Sequence, residues 1–168
     1  MMRQELYWLD GSSRGKLAMA ARPRGGDWLR DDLAGWKRAG IDTVLSLLTP
    51  EEEKDLDLRD EAGDVRTLGM EFVSFPIPDR HIPKSETKWT QALEKVDRIL
   101  SEGKNVVVHC RQGIGRSGLA VACLLVRRGM SPGAAVDAVS AARGIPVPET
   151  SEQREWIDHY AVSLTTTK

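Results

Sequence analysis

Residues 105–129 read NVVVHCRQGIGRSGLAVACLLVRRG. The run of valines predicts a short buried strand that ends at His109, because β-branched residues favour strands. A glycine-containing loop over 110–116 follows, and the apolar residues after it predict a helix over 117–128 that a glycine ends. A strand, a tight loop and a helix in this order form the repeating unit of a parallel sheet, so the stretch predicts an α/β fold.

The sequence on either side alternates predicted strands with predicted helices. Strand patterns cover 6–9, 17–20, 43–48 and 71–75, and helix patterns cover 27–38, 86–101, 131–143 and the residues from 150 onward. We therefore expect a single domain over 1–168, with a central, mostly parallel (mixed) β-sheet flanked by helices. Residues 1–5 and 164–168 are expected to be loosely ordered, because chain ends fray.

Composition narrows the class of protein further. The 24 Lys and Arg against 25 Asp and Glu give a net charge of −1, which argues against a nucleic-acid binder. Two cysteines are too few for a disulfide framework but leave room for one reactive thiol. The start of the chain lacks the apolar stretch of a secretory signal, and no apolar run approaches the ~20 residues of a membrane span. We expect a cytoplasmic monomer with no membrane insertion.

The loop after the valine strand carries groups that can bind and attack an oxyanion. Backbone N–H groups between Cys110 and Ser117, together with the helix N-terminus, predict a nest for an anion. Gly113 and Gly115 permit the left-handed backbone of such a nest, and Arg116 adds a planar fork that matches two phosphate oxygens. The same positive field favours the thiolate form of Cys110. The loop therefore predicts phosphoryl transfer through a cysteinyl-phosphate.

Two other interpretations of this loop compete. Gly113, Gly115 and Gly118 also spell the G-x-G-x-x-G of a dinucleotide site. That site needs a second strand ending in an acidic residue about 20 residues later, whereas Asp137 lies inside a predicted helix. Alternatively, Cys110 is an inert core residue. An arginine six positions after the cysteine, with glycines between them, is not an ordinary core pattern.

The same residues resemble a known family. His109-Cys110, five further residues and Arg116-Ser117 resemble the H-C-x5-R-S/T signature of cysteine-dependent protein phosphatases. The stretch 106–118 resembles their compact dual-specificity branch. The resemblance implies a protein tyrosine/dual-specificity phosphatase-like fold. It also implies that Cys110 is the nucleophile, that Arg116 clamps the phosphoryl oxygens and that Ser117 assists departure of the thiolate.

The resemblance also assigns supporting roles around the loop. It implies that His109 tunes the cysteine through the surrounding backbone. It implies a phosphate cradle formed by Arg111, Gln112, Gly113, Ile114, Gly115 and Arg116. Neither a metal nor another cofactor is expected.

The general acid is expected on a loop well before the cysteine, again from the resemblance. Asp79 lies 31 residues before Cys110. Its P-D-x-x-x-P context, with Pro78 and Pro83, resembles the family's acid loop. Asp79 is then expected to protonate the leaving oxygen and to activate water in the second step. An Asp that only forms a turn after proline is the alternative, and His81 is a second candidate acid.

Gln153 has two possible roles. The family often carries a glutamine in its last helix that orients the hydrolytic water, and the segment PETSEQREW resembles that region. Thr150 and Gln153 also have the spacing of a capping box, in which the glutamine would bond the backbone at the start of the helix.

Several charged or thiol residues are assigned to the surface or the core. The acidic run 51–64 predicts a solvated helical surface. Cys123, in the apolar helix, predicts core packing. Five cations either form a rim for anionic substrates or are ordinary surface charges: Arg22, Arg24, Arg80, Lys84 and Arg111.

The cysteine loop and the acid loop together predict the function of the protein. We expect a phosphomonoester hydrolase that acts on phosphotyrosine, with phosphoserine and phosphothreonine as further substrates, in proteins or peptides. The alternative is a phosphatase for a phosphoinositide or another small phosphate ester. A non-catalytic phospho-binding module is the third interpretation, and the presence of Asp79 argues against it because binding alone needs no acid.

Overall fold

The computed structural model describes residues 5–9 and 14–166. Residues 1–4 and 167–168, which belong to the segments expected to be loosely ordered, lie outside this description. The described strands are β1 (Tyr7–Leu9), β2 (Leu17–Ala20), β3 (Thr43–Ser46), β4 (Glu71–Ser74) and β5 (Val106–His109). The described α-helices are α1 (Leu29–Arg38), α2 (Pro50–Asp55), α3 (Glu61–Thr67), α4 (Glu86–Ser101), α5 (Gly115–Arg127), α6 (Pro132–Arg143) and α7 (Ser151–Thr166).

The strands form one mixed sheet in the order β1-β2-β5-β3-β4. Strands β2, β5, β3 and β4 are parallel, and β1 pairs antiparallel with β2 at the edge. His109, at the end of β5, pairs with Ala20 of β2 and with Ser46 of β3. Three strand ends therefore meet at one edge of the sheet, where α/β folds bind ligands. The predicted mixed α/β fold is confirmed.

The valine run of β5 is apolar throughout because helices cover both faces of the sheet. Val106 and Val108 pack into the core formed with α4 to α7, which includes Leu93 and Leu119. Val107 points to the other face and packs into the core that contains Trp36 of α1. The central strand is thus fixed from both sides, and the loop that follows it starts from a rigid position.

Most predicted helices are confirmed, with shifts at their ends. Helix α4 has the predicted bounds, and Ser131 caps α6 by accepting a hydrogen bond from the backbone N–H of Ala134. Helix α5 begins at Gly115, two residues before the predicted start. The predicted helix over 27–38 is a short 3-10 turn followed by α1, and no side chain caps α1. In the part of the chain described, every helix is too short or too polar to cross a bilayer.

The acidic segment 51–64 differs from its prediction. It forms two short helices, α2 and α3, instead of one solvated face. Thr49 begins α2 with a reciprocal capping box, in which its side chain accepts from the Glu52 N–H and Glu52 accepts from the Thr49 N–H. Glu52 and Glu61 are buried, so the expectation of a solvated surface is wrong for both residues. Glu52 pairs with Arg116 in the first turn of α5, and Glu61 pairs with His109 at the end of β5.

Candidate active site

The loop between β5 and α5 brings a thiol to the N-terminus of a helix. Cys110 directly follows β5 and is buried, and the Ser117 hydroxyl donates a hydrogen bond to its Sγ at 3.0 Å. Ser117 belongs to the first turn of α5, whose N–H groups have no carbonyl partner within the helix. A negative charge at this point faces both the hydroxyl and the positive end of the helix. The predicted pairing of Cys110 with Ser117 is therefore present.

The loop carbonyls are held away from the thiol. The His109 ring donates from Nδ1 to the Cys110 carbonyl at 3.2 Å. The Arg22 backbone N–H, after β2, donates to the Arg111 carbonyl at 3.2 Å. In a trans peptide the C=O and the N–H point in opposite directions. Fixing these two carbonyls therefore directs the N–H groups of Arg111 and Gln112 to the other side.

The second half of the loop is held by a side chain that the sequence analysis did not single out. Arg143, in the last turn of α6, donates from Nε to the Gly113 carbonyl at 2.9 Å and from Nη2 to the Gln112 carbonyl at 3.3 Å. The Ile114 carbonyl accepts from Gly118 within α5. Each carbonyl from 110 to 114 thus has a partner outside the loop's concave side. No backbone partner within the described part of the chain takes up the five amides from 111 to 115, so they can face one anion, as the cradle prediction requires.

Gly113 is required in this loop for two reasons. Its φ of +71° lies in the left-handed region that glycine favours. A Cβ at this position would also lie 2.7 Å from the backbone carbon and oxygen of Ala20. The loop therefore rests directly on the end of β2.

Arg116 is held in place by a buried carboxylate. Its Nη1 lies 2.6 Å from Oε1 of Glu52 and its Nη2 lies 2.9 Å from Oε2, which is a bidentate pair. Nη1 also donates to the Ile77 carbonyl at 2.8 Å. The Arg116 Nε is buried and has no hydrogen-bond partner among the residues that the structure describes. The guanidinium is thus fixed by one edge, and an unpaired donor remains for an anion in the loop.

The electrostatics of this pair follow from its burial. Burial alone would raise the pKa of Glu52, but the hydrogen bonds from Arg116 and Thr49 outweigh it and hold that pKa below its ordinary value. Burial lowers the pKa of Arg116, while Glu52 and the charges of Cys110 and Asp79 raise it above its ordinary value. Both groups are therefore charged at neutral pH.

The predicted acid lies beside this arginine. Asp79, in the loop between β4 and α4, has its Oδ1 3.2 Å from Nη2 of Arg116, and its side chain is 55% exposed. A single guanidinium thus links the cysteine loop to the acid loop. His81, the alternative acid, donates from Nδ1 to the Asp79 carbonyl at 2.7 Å. This contact ties the His81 ring to the backbone of its own loop, so Nδ1 is occupied by the Asp79 carbonyl.

Gln153 is fully buried and bonds the acid loop to the last helix. Its Nε2 donates to the His81 carbonyl at 3.1 Å. Its Oε1 accepts from the backbone N–H groups of Glu149 and Thr150, and its own N–H donates to the Thr150 hydroxyl, so the predicted capping box is present. The water-orienting role of Gln153 stays a prediction, because these bonds describe a link between two segments.

His109 has a second, buried partner. Its Nε2 lies 2.6 Å from Oε2 of Glu61 in α3, and neither side chain is exposed. Both neighbours of the imidazole, this carboxylate and the Cys110 carbonyl, are hydrogen-bond acceptors. The imidazole therefore bridges the Cys110 backbone to α3 through both of its ring nitrogens. The role of His109 in tuning the cysteine through the backbone stays a prediction, and its contact with the Cys110 carbonyl is consistent with it.

Three site residues were missed from sequence: Glu52, Glu61 and Arg143. Glu52 had a local signal, because Thr49 and Glu52 have capping-box spacing. Glu61 had only the general rule that a buried histidine needs a polar partner. Arg143 had no signal, since it bonds backbone carbonyls that every residue type carries.

The remaining predictions divide between surface and core. Arg24 is bound to Asp32 and Arg80 to Glu149, so these two members of the expected cationic rim are paired with carboxylates. Cys123 is fully buried, and burial raises the pKa of its thiol far above the ordinary value. Its predicted core packing is confirmed.

The fold and this loop define the class of cysteine-dependent phosphatases of dual-specificity type. The profile of a family described as "Polymorphic toxin system, DSP-PTPase phosphatase" matches residues 18–130. Because this match covers more than half of the chain, the chain belongs to that family. The predicted family resemblance is confirmed.

Known relatives and a solved structure agree with this assignment. Cyclin-dependent kinase inhibitor 3 of Mus musculus is 32% identical over 81% of this chain and 64% of its own length. The Arabidopsis thaliana protein named phosphatidylinositol 3,4,5-trisphosphate 3-phosphatase and protein-tyrosine-phosphatase PTEN1 is 31% identical over 76% of this chain and 32% of its length. The chain thus spans less than two thirds of these relatives. The crystal structure of Tk-PTP in the active form superposes with a TM-score of 0.79 at 28% identity, covering 96% of this chain and 99% of that one.

Proposed function

We propose that this protein hydrolyses phosphomonoesters, with phosphotyrosine and phosphoserine or phosphothreonine in proteins as substrates, through a cysteinyl-phosphate. The observation that carries the proposal is the position of Arg116. Its guanidinium is fixed by Glu52 and contacts the acid Asp79 at 3.2 Å. Arg116 also lies in the first turn of α5, where the neighbouring Ser117 bonds the Cys110 thiol at 3.0 Å. Nucleophile, anion clamp and acid are then within reach of one phosphoryl group.

The first step transfers the phosphoryl group to sulfur. The Cys110 thiolate forms an S–P bond while the ester P–O bond breaks, and the Asp79 carboxylic acid gives its proton to the departing oxygen. The loop amides and the unpaired Nε of Arg116 bind the three non-bridging oxygens, whose charge must be stabilised as the phosphoryl group moves.

The second step releases inorganic phosphate. Water attacks the phosphorus and the S–P bond breaks, while the Asp79 carboxylate accepts a proton from the water. The electron pair of the breaking bond returns to sulfur, where the Ser117 hydroxyl donates a hydrogen bond to the thiolate. The enzyme is then ready for another turnover, with the acid protonated again.

A substrate panel tests this proposal. The purified, reduced protein should hydrolyse p-nitrophenyl phosphate in EDTA, since the thiolate, the arginine and the acid supply the chemistry. Cys110→Ser should abolish turnover and keep phosphate-analogue binding, whereas Cys123→Ala, the matched control in α5, should stay active. Absence of turnover by the wild-type protein, or near-full activity of Cys110→Ser, would refute the proposal.

A second substrate class is favoured by one relative. The Arabidopsis protein carries a phosphoinositide in its name and is 31% identical, and Arg111 lies exposed within the loop. The panel should therefore include phosphoinositides beside phosphotyrosyl, phosphoseryl and phosphothreonyl peptides. A kcat/KM that is higher for a phosphoinositide than for every peptide would replace the protein substrate with the lipid headgroup.

A further inference from the structure

Arg143 and Tyr7 form a support beneath the phosphate cradle. Arg143 spans two consecutive loop carbonyls, those of Gln112 and Gly113, with Nη2 and Nε. A face of the same guanidinium covers the Tyr7 ring of β1, with the guanidinium carbon 4.2 Å from the ring centre. Tyr7 and Arg143 both lie outside the matched family region 18–130.

The geometry points to Arg143 as a positioning residue that preforms the cradle before substrate arrives, with Tyr7 holding the guanidinium in place. This inference rests on the proposed function, since it concerns the same anion site. The two carbonyls belong to the peptides that carry the N–H groups of Gly113 and Ile114. Because C=O and N–H are opposed in each peptide, holding the carbonyls turns these two amides toward the anion. An unfixed loop would have to be ordered during binding, which weakens affinity.

The side-chain type fits this task. A guanidinium presents several N–H donors in one rigid plane and can reach two carbonyls at once, whereas a lysine ammonium is a point donor on a flexible stem. A planar guanidinium also stacks on an aromatic face, which restricts its rotation. Tyr7 is positioned in turn by pairing with Met19 of β2, the strand whose end at Ala20 abuts Gly113. The paired strands β1 and β2 therefore support the loop from two directions.

Binding of tungstate, measured by calorimetry without turnover, tests the inference. Tungstate is a tetrahedral oxyanion with no second charged group, so it reports the cradle alone. Arg143→Gln should bind tungstate about 10- to 100-fold more weakly, the range for losing hydrogen bonds to a charged donor. Arg143→Lys should lose about 10-fold, because it keeps the charge but not the two-point contact. Tyr7→Leu should weaken binding several-fold, and the conservative Tyr7→Phe, which keeps the ring, should restore most of that loss.

A matched control separates support from general damage. Arg154, on α7, forms an exposed pair with Asp158 four residues later, so Arg154→Gln removes an arginine without touching the loop. It should bind tungstate like the wild type. Unfolding midpoints identify any variant that fails to fold, in which case Arg143→Lys and Tyr7→Leu carry the test.

The outcomes are distinguishable. If the wild type fails to bind tungstate, the proposed function is wrong. If the wild type binds and the folded Arg143 variants bind equally well, the positioning role is wrong. If the Arg143 variants bind tungstate normally but lose activity only on substrates with a second anionic group, Arg143 contacts substrate directly and the inference is overturned.

Discussion

Replacing Glu52 with alanine should damage stability and activity together. The substitution removes both hydrogen bonds that Glu52 makes to the guanidinium, at 2.6 and 2.9 Å, and leaves Arg116 only 1% exposed. Breaking a buried pair by deleting one partner costs about 3–5 kcal/mol, because the remaining buried charge then keeps only the half-exposed Asp79 as an ionic partner. Domains are stable by only about 5–15 kcal/mol, so this is a large share of the total.

Chemical and thermal unfolding measure the effect directly. At about 2–4 °C per kcal/mol for a domain of this size, Glu52→Ala should lower the melting temperature by about 6–20 °C. The matched control is Glu51→Ala, which removes an exposed carboxylate from the same first turn of α2 and should change the free energy of unfolding by no more than about 0.5 kcal/mol. The kcat/KM of the folded Glu52→Ala protein should also fall about 100-fold, since the freed guanidinium is displaced from the anion.

One result would refute this reasoning. If Glu52→Ala unfolds within about 0.5 kcal/mol of Glu51→Ala, the buried pair does not hold Arg116 in the way its geometry indicates. Unchanged kcat/KM in a destabilised Glu52→Ala protein would show that Glu52 serves the fold without positioning the guanidinium.

Three further predictions follow from the same contacts. Asp79→Asn should lower kcat by ~10²–10⁴ on alkyl phosphates and far less on p-nitrophenyl phosphate, which needs no proton; equal losses on both substrates would remove Asp79 as the acid. Iodoacetamide should alkylate the native protein at Cys110 and spare Cys123, whose burial raises its pKa. Mass spectrometry of tryptic peptides measures the modification at each cysteine, and faster alkylation of Cys123 would contradict this prediction. Because the folded protein holds the pKa of Glu52 below the ordinary 4.5, that carboxylate stabilises the fold above pH 4.5 and loses its contribution as pH falls through the lower folded value. The stability difference between wild type and Glu52→Gln should therefore shrink on acidification below pH 4.5, and a constant difference would contradict the pairing.

The sequence was sufficient for elements whose cause is local. Helix α4 has its predicted bounds because its apolar residues recur at helical spacing and Ser85 caps its start. The central strand and its loop were predicted because β-branched valines favour a strand and the glycines after them permit a tight loop. Cys110, Ser117 and Arg116 lie within eight residues of one another, so a short motif describes them.

The supports of the site could not be found in this way. The partner of Arg116 is 64 residues away and that of His109 is 48 residues away. A run of eight carboxylates gives no sign of which one is buried, since that depends on how α2 and α3 pack against the strand ends. A general rule predicts that a buried arginine and a buried histidine need hydrogen-bond acceptors. Which carboxylates serve as these acceptors, Glu52 and Glu61, depends on the fold.

The central place of β5 in the sheet controls when the site can form. β5 lies between β2 and β3, although both precede it in the chain. While the chain is being synthesised, β2 and β3 have no inner neighbour until β5 emerges, and parallel pairings at such sequence separation form late. The supports that hold the loop from α2, α6 and the acid loop depend on the completed sheet. A nascent or partly unfolded chain therefore carries Cys110 without the surrounding loop contacts, and the proposed nucleophile meets its proposed anion cradle only once folding is complete.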